Sequence, residues 1–113
     1  MATRRLDKAD WAAFFDGVSR ALGATQVEIE VASLALGDQV QAEWVNLSGM
    51  TYDSKAATVE LMSDTMDHRI QRPIEVYAYE TRDGLDSIEV VTEDGTKQII
   101  KLRRPLLLAA PAA

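Results

Sequence analysis

Between Asp7 and Leu22 the apolar residues recur every three or four positions. Trp11, Phe14, Phe15, Val18 and Leu22 make one broad stripe, which predicts an amphipathic helix over 7–22. Asp7 stands where an N-cap is expected, with Asp10 at the positive end of the helix dipole. Leu6 and Trp11 have the spacing of a hydrophobic staple, and Gly23 offers the left-handed residue that ends a helix. An aromatic stripe of this kind is read as the side of a helix laid on a sheet rather than as a ligand box.

After Gly23 the period drops to two. Val27, Ile29 and Val31 share one face with Glu28 and Glu30 opposite, after which the parity flips to Leu34 and Leu36. The same flip recurs from Val40, Ala42 and Trp44 to Val45 and Leu47. A three-residue loop at 37–39 would set Leu36 opposite Val40, Leu34 opposite Ala42, Val31 opposite Val45 and Ile29 opposite Leu47. Both flips then fall at one level of a long, twisted hairpin that either curls round the core or projects toward another chain.

Residues 48–55 read as a connection, and Ala57, Val59 and Leu61 as a third strand. Residues 63–72 show no strand alternation; Asp64 is placed to cap a short turn holding Met66 and Ile70, which Pro73 ends. Ile74, Val76 and Ala78 alternate with Tyr77 and Tyr79 as a fourth strand. A hairpin closes the chain, Ser87–Glu93 and Lys97–Leu102 around Asp94-Gly95. A three-residue loop at 94–96 would pair Val90 with Ile100, Ile88 with Leu102, Glu89 with Lys101 and Glu93 with Lys97. Because Asp-Gly itself prefers a two-residue turn, a bulge is expected there. Pro105 is expected to stop the strand, leaving 106–113 as an apolar tail and 1–6 as a flexible N-terminus.

Composition narrows the function more than it identifies it. The 113 residues include no cysteine and one histidine, His68, so disulfides and Cys-type zinc sites are excluded and most acid–base or nucleophilic schemes are poorly supplied. The net charge is −6, divided equally between the halves on either side of Ala56, and only Arg103-Arg104 forms a basic pair. Nucleic-acid binding, which draws on a concentrated cationic face, is therefore disfavoured. No apolar run approaches the ~18 residues of a membrane span, and none follows the N-terminal arginines as in a signal peptide, so no membrane association and a cytoplasmic location are expected. The glycines are scattered at turns without a phosphate-binding pattern.

Asp64, Asp67 and His68 lie close in sequence, but a metal site needs more converging ligands, and a solvated turn is the reading adopted. Tyr77 and Tyr79 would offer a stacking face for bases, were Glu75 not on the same face to repel phosphate. Leu106, Leu107 and Leu108 would each cost ~1.5–3 kcal/mol to leave in water, so they are expected to pack on their own domain or to close a homodimer.

The order of elements, with Asp67-His68-Arg69-Ile70 leading to Pro73 and a closing hairpin, resembles a bacterial family catalogued as a domain of unknown function, number 5335. The resemblance is sharpest from Ser87 through Glu93-Asp94-Gly95 to Arg103, followed by Pro105-Leu106. It covers nearly the whole chain and implies a small stand-alone bacterial protein, with no catalytic residue or cofactor to carry over.

The expectation is thus a single α+β domain over 1–113, with a helix packed on a strongly twisted, mostly antiparallel sheet of about six strands, curled at most to a half-barrel. The function expected is a non-catalytic protein-interaction or self-associating module, with no catalytic residues, metal or cofactor. Its contact surface would be an edge strand or Leu106, Leu107 and Leu108. The alternative is a small-ligand binder or minor enzyme with a pocket lined by Trp44, Tyr52, Tyr77 and His68.

Overall fold

A computed structural model describes residues 2–23, 25–33, 37–65 and 67–108, with backbone alone at 38 and 41–43. A first strand, β1 (Ala2–Leu6), leads through a 3-10 turn (Lys8–Asp10) into the helix α1 (Trp11–Ala21). There follow β2 (Gln26–Ser33), β3 (Gly37–Asp53), β4 (Thr58–Ser63), β5 (Asp67–Gln71), β6 (Pro73–Thr81), β7 (Gly84–Thr92) and β8 (Lys97–Leu106). They form one eight-stranded antiparallel sheet in the order β1-β6-β7-β8-β2-β3-β4-β5. Its two ends, β1 and β5, do not pair with each other, so the sheet is not closed into a barrel.

The helical stripe does what its spacing requires. Trp11, Phe15, Val18 and Leu22 are buried in one core with Val27, Ile29, Leu47, Met50, Val59, Leu61, Ile70, Val76, Ile88, Val90 and Ile100. The staple is present and carries a polar addition: Leu6 is buried, and the Trp11 indole N–H donates to its carbonyl at 3.2 Å. Asp7 does not cap with its side chain; its carbonyl accepts from the Asp10 N–H and opens the 3-10 turn instead. Gly23 takes the left-handed conformation, φ 55°. The helix lies on β3, where the Ser19 hydroxyl donates to the Met50 carbonyl at 2.6 Å and accepts from the Met50 N–H at 2.9 Å. One side chain thus pins helix to sheet through both backbone groups of one residue.

Two strands were not visible in the alternation. Residues 2–6, expected to be flexible, form β1 against β6, and the segment expected to be a turn near Asp64 becomes β5 from Asp67 onward. Each buries a single residue, Leu6 in β1 and Ile70 in β5, so neither prints a period on the sequence. Met66 lies outside the described residues.

The hairpins correct the expected registers. β2 and β3 pair Ser33 with Gly37, Val31 with Gln39, Ile29 with Ala42 and Val27 with Val45. The connection therefore precedes Gly37 rather than following it, and Leu34 and Leu36 lie outside the described residues. Irregularities between Val27 and Ile29 and between Ile29 and Glu30 place one extra β3 residue at each, and the first falls beside the parity flip from Trp44 to Val45. Trp44, in the first of these, has φ 47°. In the closing hairpin Ile88 pairs with Ile100 and Val90 with Gln98, so the three-residue loop is 93–95. Gly95 supplies its left-handed residue, φ 86°. The Asp94 carboxylate accepts from the Thr92 hydroxyl at 2.5 Å and the Thr96 N–H at 3.0 Å. Those bonds, the Thr92 hydroxyl first, hold its pKa below the usual carboxylate value.

Pro105 does not end β8. The strand leaves its register after Leu102, swings out through Arg103, Arg104 and Pro105, and returns with Leu106 opposite Leu85. Gly84, φ 126°, makes that return possible, since a side chain there would run into the Leu106 carbonyl. At the other end of the sheet the β5–β6 corner folds back on the β7–β8 loop. Arg72, φ 53°, donates its N–H to the Ala57 carbonyl at 2.8 Å and accepts from the Glu93 N–H at 2.9 Å.

Candidate functional site

The four residues expected to share a pocket occupy four places. Tyr52, on β3, packs edge-on against Trp11, with ring centroids 5.2 Å apart, and belongs to the margin of the core beneath α1. His68, on β5, reaches across the curl to β8, its Nε2 2.6 Å from the Gln98 amide oxygen. Tyr77 lies on β6, with its hydroxyl donated to Glu75. Trp44 sits on the bulged part of β3 beneath the Arg103 guanidinium, 5.2 Å from the ring centroid. Neither hollow found among the described residues is lined by any of the four.

Asp64 and His68 are likewise engaged separately: Asp64 accepts from the Asn46 amide at 3.1 Å, whereas His68 pairs with Gln98. Among the described residues no three His, Asp or Glu side chains converge as a metal would require. The tyrosine face is acidic. Glu75 takes the Tyr77 hydroxyl and Glu89 takes that of Tyr79 at 3.0 Å. Both phenols are pushed above their ordinary pKa, Tyr77 chiefly by the hydrogen bond to Glu75 and Tyr79 chiefly by burial, then by Glu89. Carboxylates beside both rings repel a phosphate backbone, which leaves the face unsuited to stacking nucleic-acid bases.

The tail leucines separate by position. Leu106 is buried, Leu108 packs on the core, and Leu107 stands 79 % exposed; residues 109–113 lie outside the description. No helix among the described residues is long and apolar enough to cross a membrane.

One grouping was not anticipated. Thr25 and Gln26 at the start of β2, Asn46 on β3, and Arg103 and Arg104 on β8 line an open depression of about 540 Å³. In a regular strand consecutive side chains alternate faces; here the outward swing of β8 brings two consecutive arginines to one hollow. The Arg103-Arg104 dipeptide was the sequence signal, but nothing in it announced that the register would break beside it. A second hollow, lined by Arg69, Arg72, Glu93, Asp94 and Gln98 among others, mixes both signs of charge and is spanned by the backbone bonds of the β5–β6 corner.

Residues 2–111 match the model of a family of unknown function, DUF5335. An uncharacterised protein of Aquifex aeolicus (strain VF5) is 38 % identical over 104 residues, covering 91 % of this chain and 94 % of that protein. No solved structure matches significantly. The chain belongs to the DUF5335 family.

Proposed function

We propose that this family member is a single-domain, non-catalytic, cytoplasmic interaction module that self-associates as a homodimer through β3. The observation behind this reading is the free edge of that strand. Among the described residues β3 pairs only with β2 from Gly37 to Val45, and β4 joins its other side from Leu47. The other two edges are defended. β1 carries Arg4 and Arg5, while β5 places Asp67, His68 and Arg69 in succession and is tied at its end to the β7–β8 loop. Charge and cover are the usual means of keeping a sheet edge from pairing. The β3 segment has only Asp38 and Glu43 as ionisable residues, and Val40 is 52 % exposed. A second copy running antiparallel would satisfy its unpaired backbone groups.

The tail supports association less well, because Leu106 is buried at home and only Leu107 stands out. The small-ligand alternative draws no support from Trp44, Tyr52, Tyr77 and His68 as a set, since none of them lines either hollow.

Light scattering on a size-exclusion column tests the reading. The full chain is expected to run as a dimer, more so as added salt screens the repulsion between two copies each of net charge −6. Val40→Lys, at an exposed side chain, is expected to yield monomers, and Leu107→Ser to leave the dimer intact. A monomer at every concentration, or a dimer lost through Leu107→Ser but not Val40→Lys, overturns it.

A further inference from the structure

We infer that the depression lined by Thr25, Gln26, Asn46, Arg103 and Arg104 binds the phosphate of a small phosphomonoester. The reading does not depend on how the chain associates.

Two irregularities meet at this place. β8 breaks register to turn Arg103 and Arg104 the same way, and β3 bulges at Trp44. A bulky residue at φ 47° is a genuine backbone outlier, and strain of this kind persists where the surroundings hold it. The other two non-glycine residues at positive φ among the described residues, Ala57 and Arg72, are accounted for by the hydrogen bond that joins them. No such bond explains Trp44. What its conformation achieves is to lay the indole against the Arg103 guanidinium at 5.2 Å, while Arg103 Nη1 donates to the Gln26 amide oxygen at 3.0 Å. The cation–π contact and the hydrogen bond together hold the guanidinium in place, and among the described residues its remaining N–H groups have no other hydrogen-bond partner. Arg104 has no hydrogen bond or ion pair among the described residues, although the protein carries an excess of acids.

The lining points to the ligand class. Two arginines, the Thr25 hydroxyl and the amides of Gln26 and Asn46 line the hollow; among the described residues no carboxylate lines it, although Asp64 accepts from the Asn46 amide at 3.1 Å. A phosphomonoester, with a charge of about −1.5 to −2 at neutral pH and three acceptor oxygens, matches two guanidinium groups in both charge and donor number. A carboxylate would leave one positive charge unanswered. The volume, about 540 Å³, leaves room for an attached small organic group as well as the phosphate. A long polyanion would extend beyond the two arginines onto an acidic surface.

The two tryptophans make the test internally controlled. In a proton–nitrogen correlation spectrum the Trp44 indole N–H reports on the depression through its contact with Arg103, while that of Trp11, buried and bonded to Leu6, reports on the fold. Glucose 6-phosphate, inorganic phosphate, and sodium acetate at matched ionic strength are titrated into the full chain. Glucose 6-phosphate is expected to shift the Trp44 signal saturably and leave that of Trp11 in place. Arg104→Gln, a change at an exposed side chain, is expected to weaken binding about tenfold, the equivalent of 1.4 kcal/mol. Equal binding of inorganic phosphate would keep the oxyanion site and make free phosphate its ligand. No saturable shift, an equal response to acetate, or binding indifferent to Arg104→Gln would overturn the inference.

Discussion

The hairpins β2–β3 and β7–β8 begin from the same alternation of apolar and polar residues and end differently. β7–β8 is flanked by β6 on one side and β2 on the other, and its ladder runs unbroken from Ile88 opposite Ile100 to Val91 opposite Lys97. β2–β3 is flanked by β8 alone at its far end, and there β3 gains two extra residues and a left-handed tryptophan. Alternation states which face of a strand is buried; it does not state who sits beside the strand. Where a neighbour is missing, a bulge costs little and can be used to aim a side chain.

Three measurements sharpen this contrast. The largest effect is expected from Ile100→Ala, since Ile100 is fully buried with Ile88 and Ile29 as its partners on either side. Urea denaturation should show a loss of about 2–5 kcal/mol, against less than about 0.5 kcal/mol for the exposed Val40→Ala. Equal losses at both positions would erase the difference between the hairpins.

Gly84→Ala is expected next, at about 1–3 kcal/mol, because it strains a residue at φ 126° and pushes Leu106 away from Leu85. The same variant should leave the tryptophan signals of a folded protein intact, confining the damage to the end of β8.

The smallest effect belongs to the loop of the regular hairpin. Asp94 is hydrogen-bonded by Thr92 and Thr96 and its pKa is lowered, so its ionised form contributes stability above the ordinary Asp value of about 3.9, and that contribution is lost as pH falls through the lowered value. Wild type should therefore melt above Asp94→Asn at neutral pH, and the gap should close in acid. A gap independent of pH would mean that the carboxylate's charge plays no part.

Much of this was legible in the chain. The helix, its staple and its glycine stop followed from spacing, and the burial of Val27, Ile29, Val59, Leu61, Val76, Ile88 and Ile100 from alternation. The edge strands were not legible, because a strand with one neighbour and one buried residue has almost no pattern to print; Leu6 and Ile70 are the whole of it. Registers failed by small steps for a related reason. In the closing hairpin, moving the loop by one residue keeps every side chain on its own face, so hydrophobicity could not choose between Ile88 opposite Leu102 and Ile88 opposite Ile100. The arginine depression was invisible because it exists only where two strands, β8 and β3, break register on either side of β2. Ser19 gave no sign of its double bond to Met50, since a serine on a helix is ordinarily a solvated one.

The sheet's central seam joins β2 to β8, and its far margin joins β1 to β6; Gln26 and Arg103 are 77 residues apart, Arg4 and Glu80 are 76. Both early strands must therefore wait for partners made much later, and the interior cannot be sealed until the last strand arrives. Loop closure over such separations is paid before any contact repays it, which places the protein among slow folders for its size and leaves β2 exposed to wrong neighbours while the chain is still being made.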